Sequence, residues 1–118
     1  MRRGQGSAAI CPFVATVALG LLLSSAEPAA AADSKPATHT VTISGVQFEP
    51  QSLTVRVGDT IVWVNRDPFP HTVTAVGKRF DSHEIAVGHS WTYRARKAGI
   101  FSYACTLHPT MSGTLRVE

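Results

Sequence analysis

The stretch IFSYACTLHPTM, residues 100–111, holds the most informative residues of the chain. Its first half alternates with a period of two, which places Phe101, Tyr103 and Cys105 on one face of an expected β-strand. Its second half carries a thiol, an imidazole and a thioether, from Cys105, His108 and Met111, at intervals of three residues. We therefore expect a β-protein in which a strand with an aromatic core face delivers a sulfur atom to the loop that follows it.

Short runs rich in β-branched and aromatic residues cover the chain from residue 39 onward. Gly, Pro, Asn and Asp separate these runs, which is typical of strands and turns. No stretch shows helical periodicity. The runs lie at 39–43, 52–57, 61–65, 71–76, 90–94, 100–105 and 113–117. The pattern predicts a single all-β domain, an antiparallel sandwich of about seven to eight strands.

The start of the chain has the features of an export signal. Two arginines precede an apolar run at 8–23 that is short and rich in small residues, and Ala-Ala-Ala at 30–32 fits a signal-peptidase site. We predict that residues 1–32 are a signal peptide removed near Ala32. Residues 33–118 are then one domain that is periplasmic or secreted, without a membrane anchor.

Length, charge and cysteine content exclude several classes of function. A chain of 118 residues has room for one core and little room for a substrate cleft. Residues 33–118 carry nine basic and seven acidic side chains without a dense Lys/Arg stripe, which argues against nucleic acid as a partner. Cys105 is the one cysteine of that segment, so the disulfide of an immunoglobulin-like adhesion domain is excluded.

A second imidazole, His71, follows the proline-stiffened segment Asp67-Pro-Phe-Pro. Taken singly, each of the four side chains has an ordinary structural role as a buried thiol, a core methionine or a turn histidine. Two imidazoles, a thiolate and a thioether together form the ligand set of a blue-copper site. Zinc fits less well because a thioether is a poor zinc ligand. An enzyme with Cys105 as its nucleophile and His108 as its general base is a further alternative, but we do not expect direct catalysis.

These residues and their neighbours resemble the cupredoxins and, within that family, the amicyanins. The resemblance runs through Trp63-Val64-Asn65-Arg66, Pro70-His71, Ala98-Gly99, Tyr103, Cys105-Thr106-x-His108-Pro109-x-Met111 and Gly113. It implies a Greek-key β-sandwich like that of plastocyanin and amicyanin. It also implies one type 1 copper ion with His71, Cys105, His108 and Met111 as its ligands.

The resemblance further implies a monomeric electron carrier that cycles between Cu(II) and Cu(I) and is not itself an enzyme. Its partners would be redox proteins that dock transiently, with an amine dehydrogenase as donor and a c-type cytochrome as acceptor. We expect the edge of His108 to emerge through an apolar docking patch made by Phe69, Pro70, Leu107 and Pro109. A periplasmic copper carrier or sensor with the same ligands is the alternative, although such proteins usually expose several Met or His residues.

Two residues beside the ligands depart from the amicyanin pattern. Thr72 replaces an Asn that commonly ties the ligand loops together, and its shorter hydroxyl predicts a weaker link. Leu107 replaces a Pro, which restores a backbone N–H that we expect to donate near the thiolate sulfur.

The remaining histidines and charges have simpler interpretations. His39, His83 and His89 are expected on the surface, and a second metal site at His83 and His89 is an open question. Trp63 and Trp91 are expected in the core. The basic residues Lys78, Arg79, Arg94, Arg96 and Lys97 are interpreted as solvated faces, with steering of an acidic partner protein as the alternative.

Overall fold

The computed structural model describes residues 12, 13, 20 and 35–118. This part of the protein contains eight strands in two sheets. The strands are β1 Thr38–Ile43, β2 Phe48–Glu49, β3 Ser52–Val55, β4 Thr60–Asn65, β5 Thr74–Ala75, β6 Ser90–Arg94, β7 Gly99–Ala104 and β8 Ser112–Val117. One sheet has the order β2-β1-β4-β6 and the other the order β3-β8-β7-β5. A 3-10 turn, Val76–Lys78, follows β5. The predicted all-β sandwich is confirmed.

The predicted signal peptide, 1–32, lies outside the described residues apart from 12, 13 and 20, so the signal peptide and the boundary at 33 stay predictions. Among those residues and 35–118, no helix has the length and apolar character that crossing a bilayer requires.

Strand direction differs from the prediction in two places. β1 pairs with β4 in parallel, with Thr38 opposite Thr60, and β3 pairs with β8 in parallel, with Ser52 opposite Thr114. The other pairs are antiparallel. The expected antiparallel pairing fails at these two pairs because a period-two pattern records which face of a strand is buried and not the direction of its partner.

The predicted strand at 71–76 is reduced to Thr74–Ala75. His71 forms an isolated bridge with Ile85, and the Thr72 N–H donates to the Cys105 sulfur at 3.2 Å instead of to a strand. Strand β2, with two residues, was not predicted because it is too short to show a period.

The core lies between the two sheets and is rich in aromatic rings. Trp63 is fully buried, and its ring centroid lies 5.6 Å from that of Tyr103 and 5.5 Å from that of Trp91. Tyr103 on β7 and Cys105, the residue directly after β7, are buried towards the core, while Ile100 on the other face of β7 is 67% exposed, which confirms the predicted alternation. Trp91, expected in the core, is only partly buried.

Tyr103 on β7 lies directly opposite Gly113 on β8. A β-carbon at position 113 would overlap the end of the Tyr103 ring. Glycine is therefore required here by the close approach of the ring and not by a turn.

Candidate metal centre

Three potential metal ligands converge at the end of the sandwich where β7 gives way to residues 105–111. The Cys105 sulfur lies 3.7 Å from Nδ1 of His71 and 3.7 Å from Nδ1 of His108. His71 and Cys105 are fully buried, and His108 is partly exposed. Within the described part of the chain, these three residues form the group of His, Cys and acidic side chains able to hold a metal ion.

The other ring nitrogen of His71 is held by a carboxylate. Its Nε2 lies 2.8 Å from Oδ2 of Asp67, so the ring donates its proton there and keeps the Nδ1 lone pair directed towards the sulfur. Asp67 also accepts hydrogen bonds from the N–H groups of Gly45 at 2.6 Å and Val46 at 2.8 Å. Burial by itself would raise the pKa of Asp67, but these bonds and the His71 imidazole together lower it from its usual value.

A buried asparagine organises the loop that presents His71. The Asn65 side-chain amide donates to the carbonyls of Phe69 at 2.8 Å and Ile85 at 3.0 Å, and its oxygen accepts from the Asp67 N–H. Sequence analysis did not assign these roles to Asn65 and Asp67. A carboxylate four residues before a metal-competent histidine, across a proline-rich segment, was the available signal for Asp67.

Two loops meet at the sulfur through Thr72. Its N–H donates to the Cys105 sulfur, and its hydroxyl accepts the Thr106 N–H at 2.9 Å. The Thr72 hydroxyl thus links the two loops, and the expectation that this link is weaker than the one an Asn would make stays a prediction. The backbone donor that the structure places on the sulfur is Thr72, on the neighbouring loop, and the expected role of the Leu107 N–H stays a prediction.

Residues 105–111 are closed by their own backbone. The Cys105 N–H donates to the Met111 carbonyl at 3.0 Å, and the Met111 N–H donates to the His108 carbonyl at 2.9 Å. The Met111 side chain is 3% exposed. The loop therefore holds its cysteine, histidine and methionine on one compact turn.

The donor set fits a copper ion. Two donors bonded at about 2.0–2.3 Å to one ion and separated by about 120° lie roughly 3.7 Å apart. Both sulfur-to-nitrogen separations have this value. Two imidazole nitrogens and one thiolate, with a thioether on the same loop, form the combination that copper accepts in both oxidation states.

The four residues of the predicted docking patch differ in their exposure. Phe69 and Leu107 are 50% and 49% exposed, Pro109 is exposed and Pro70 is partly buried. The Phe69 ring centroid lies 6.4 Å from that of His108.

The other histidines lie apart from this centre. His83 and His89 are exposed and do not join the group of potential ligands. His39 differs from its prediction as a simple surface residue, because its Nε2 lies 2.9 Å from Oδ2 of Asp59 and its side chain is only 28% exposed.

Comparison with known proteins agrees with this geometry. Residues 14–117 match the family model described as a cupredoxin-like domain. Amicyanin of Paracoccus denitrificans is 32% identical over 120 residues, covering 93% of this chain and 92% of that protein. The structure of a methionine-to-alanine variant of amicyanin in its Cu(I) form superposes with a TM-score of 0.65 at 31% identity, over 69% of this chain and 82% of the other.

A larger protein contains a similar domain. The copper-containing nitrite reductase of Thermus scotoductus matches 72% of this chain with a TM-score of 0.66 at 28% identity, but only 23% of its own length is covered. The ligand geometry, the family model and the near-full-length match to amicyanin agree, and the chain belongs to the cupredoxin-like family, in which it is most like the amicyanins.

Proposed function

We propose that the protein is an exported type 1 blue-copper electron carrier with His71, Cys105, His108 and Met111 as its copper ligands. The observation that carries this proposal is the pair of equal 3.7 Å separations between the Cys105 sulfur and the Nδ1 atoms of His71 and His108. Copper, when bound, supplies a one-electron couple between Cu(II) and Cu(I).

The chain's own residues keep this site rigid. Asp67 fixes the orientation of His71 through Nε2, and two backbone N–H groups fix Asp67 in turn. The Thr72 N–H stabilises negative charge on the sulfur, and the Thr72 hydroxyl ties residue 106 to the first ligand loop. Burial of His71, Cys105 and Met111 excludes water. A site that does not need to rearrange favours fast electron exchange.

Electron transfer to a partner then takes place at the exposed edge of His108. The half-exposed Phe69 and Leu107, with Pro70 and Pro109, offer a small apolar surface around that edge. A transient redox contact needs less than roughly 1,200 Å² of buried surface in total. On this proposal the protein works as a monomer in the periplasm or outside the cell, between an amine dehydrogenase donor and a c-type cytochrome acceptor.

A copper carrier or sensor with the same ligands is the second candidate. Metal exchange would require accessible ligands, whereas His71 and Cys105 are fully buried and Met111 nearly so. Because these ligand atoms are not accessible for copper exchange, the site favours electron transfer over copper delivery. For the same reason we propose that the protein is not an enzyme, because a buried thiol offers no approach for a substrate.

The test is to add Cu(II) to the purified protein and record its visible and electron paramagnetic resonance spectra. We expect an intense visible absorption from sulfur-to-copper charge transfer and a narrow copper hyperfine splitting. Cys105→Ala removes the absorption, whereas His83→Ala, at an exposed histidine outside the site, leaves it unchanged. A colourless copper adduct of the parent protein would contradict the electron-carrier proposal and favour the carrier or sensor.

A further inference from the structure

A chain of side-chain hydrogen bonds runs from the loop next to the Cys105 sulfur to an aspartate outside the metal centre. The Thr72 hydroxyl oxygen lies 3.1 Å from that of Thr106 and 3.1 Å from that of Thr74. The Thr74 hydroxyl in turn donates to Oδ1 of Asp81 at 3.1 Å. We call Thr106, Thr72, Thr74 and Asp81 the hydroxyl chain. It ends on a carboxylate for which the proposed function has no role so far.

The backbone holds Asp81 beside strand β5. Thr74 forms a β-bridge with Asp81 on one side and pairs with Ala104 of β7 on the other. The next residue, Ser82, accepts the Val73 N–H on its hydroxyl at 2.7 Å, and its own N–H donates to the Val73 carbonyl at 2.9 Å. Because these contacts fix Asp81 independently of the hydroxyl chain, its carboxylate can serve as the fixed end of that chain.

The Asp81 carboxylate is kept in its charged form. The His83 N–H donates to its Oδ1 at 2.9 Å, and this bond lowers the pKa of Asp81 from its usual value against the opposing effect of burial. The Thr74 hydroxyl and the charges of His83 and Lys78 lower the pKa further. An ionised carboxylate only accepts hydrogen bonds, so Asp81 determines which way its partner donates.

This carboxylate sets the direction of every bond in the hydroxyl chain. A hydroxyl has one proton to donate and two lone pairs that accept. Because the Thr74 hydroxyl already donates to Asp81, the bond between Thr72 and Thr74 is donated by Thr72. The Thr72 oxygen then accepts from both the N–H and the hydroxyl of Thr106, at 2.9 and 3.1 Å. Aligned hydrogen bonds strengthen one another, so the chain holds Thr72 more firmly than a single contact would.

We propose, on the basis of the proposed electron-carrier function, that Asp81 is a positioning residue for the metal centre. Through Thr74 it holds Thr72, whose backbone N–H donates to the Cys105 sulfur at 3.2 Å. A hydrogen bond on the sulfur withdraws electron density from it, which favours Cu(I) and raises the reduction potential. Within residues 35–118, the hydrogen bonds of Asp81 come from Thr74 and His83, so Asp81 acts from outside the ligand set.

An effect of the Asp81 charge through space would have the opposite sign. A negative charge near copper favours Cu(II), so removing it would raise the reduction potential. Breaking the hydroxyl chain instead weakens the hydrogen bond on the sulfur and lowers the reduction potential. The sign of the change therefore separates positioning from a simple charge effect.

The first test equilibrates the copper-loaded protein with a redox mediator at a fixed solution potential. Thr74→Val cuts the hydroxyl chain and keeps the carboxylate, whereas Asp81→Ala removes the carboxylate. We expect each variant to lower the ratio of Cu(I) to Cu(II) protein about twofold to tenfold. The double variant lowers the ratio no further, because both changes break the same chain. The matched controls Glu84→Ala and Thr54→Val, at exposed positions outside the chain, leave the ratio unchanged.

The second test needs no copper and follows amide hydrogen exchange in the metal-free protein by NMR. We expect the Thr106 N–H to exchange about twofold to tenfold faster in Thr74→Val and in Asp81→Ala. In Asp81→Ala this effect has to pass along the bonds to Thr74, to Thr72 and to Thr106. Glu84→Ala keeps the exchange rate of the parent protein.

Four results would overturn the proposal. They are a higher ratio of Cu(I) to Cu(II) in Asp81→Ala, an unchanged ratio in Thr74→Val, additive losses in the double variant, and Thr106 exchange that is the same in both variants and the parent. A colourless copper adduct of the parent protein contradicts the proposed function instead. A blue protein whose variants keep the parent's ratio and exchange rate contradicts this proposal alone.

Discussion

The two ends of strand β4 carry the same arrangement of an aspartate and a histidine. Asp59, just before β4, accepts the N–H groups of Ala37 and Arg56 and lies 2.9 Å from His39 Nε2. Asp67, two residues after β4, accepts two backbone N–H groups and lies 2.8 Å from His71 Nε2. Both carboxylates thus have two backbone donors and one imidazole.

What differs is the surroundings of the second ring nitrogen. Nδ1 of His71 lies 3.7 Å from the Cys105 sulfur and its ring is fully buried. The His39 side chain is 28% exposed, and no described cysteine, histidine or acidic group joins it and Asp59 as a metal site. A carboxylate–imidazole pair therefore stabilises the fold at one end of β4, and becomes part of a metal site only at the end where β7 delivers a sulfur atom.

Removing each histidine in turn is the strongest test of this difference. His71→Ala takes away one of the three converging ligands, so we expect loss of the intense visible absorption on addition of Cu(II). His39→Ala leaves that absorption unchanged. Visible spectroscopy of both variants and the parent checks this. An equal loss of colour in the two variants would show that the ends of β4 are not functionally distinct.

Removing the charge of each aspartate gives a smaller effect. Asp67→Asn loosens the orientation of His71, and we expect copper affinity to fall about tenfold to a hundredfold. Asp59→Asn does not touch the site and leaves the affinity within about twofold. Competition with a copper chelator measures both. Similar losses in the two variants would mean that the effect acts through the stability of the fold.

The pH dependence of stability sharpens the role of Asp59. The N–H groups of Arg56 and Ala37, and then the His39 side chain, lower the pKa of Asp59 to about 2. A lowered pKa gives stability that is fully present above the unfolded value of about 4 and is lost as the pH falls towards 2. We expect metal-free Asp59→Asn to be less stable than the parent by about 1–3 kcal/mol at neutral pH. Urea unfolding should show this difference shrinking between about pH 4 and pH 2, and a constant difference would contradict the assignment.

The smallest effect is expected at the loop contact near His71. Thr72→Val removes the hydroxyl that accepts the Thr106 N–H but keeps the backbone donor to the sulfur. We expect a loss of about 0.5–1.5 kcal/mol in the free energy of unfolding. The intense visible absorption remains. Thr54→Val, at an exposed position on β3, is the matched control for urea unfolding. Loss of colour in Thr72→Val would mean that the hydroxyl has a direct role at the site.

Much of the fold, but not the pairing of aspartate and histidine at the two ends of β4, could be predicted from the sequence. The period-two pattern predicted β6 at its exact bounds and the buried face of β7. The spacing of Cys105, His108 and Met111 predicted a loop with converging side chains. What the sequence does not carry is long-range pairing. The parallel pairs β1·β4 and β3·β8 depend on which sheet each strand joins, and no local pattern records that choice.

The residues that hold the His71 loop in place were missed because they also act through contacts between distant parts of the chain. Asn65 was noticed only as part of the family resemblance, yet its amide bonds two carbonyls, one of them twenty residues away in sequence at Ile85. Gly45 and Val46 act through backbone N–H groups, which do not depend on the identity of the side chain. The donor of the hydrogen bond to the sulfur was assigned to Leu107 on the same loop, and the structure has Thr72 from another loop.

The ring of Tyr103 over Gly113 limits how this sandwich can change in evolution. Any side chain at 113 would need the volume that the ring now fills. The two positions must therefore mutate together, and a relative with a larger residue at the position of Gly113 should carry a smaller one at that of Tyr103. Because Tyr103 lies on β7 two positions before Cys105, such a paired exchange would also alter the packing next to the sulfur.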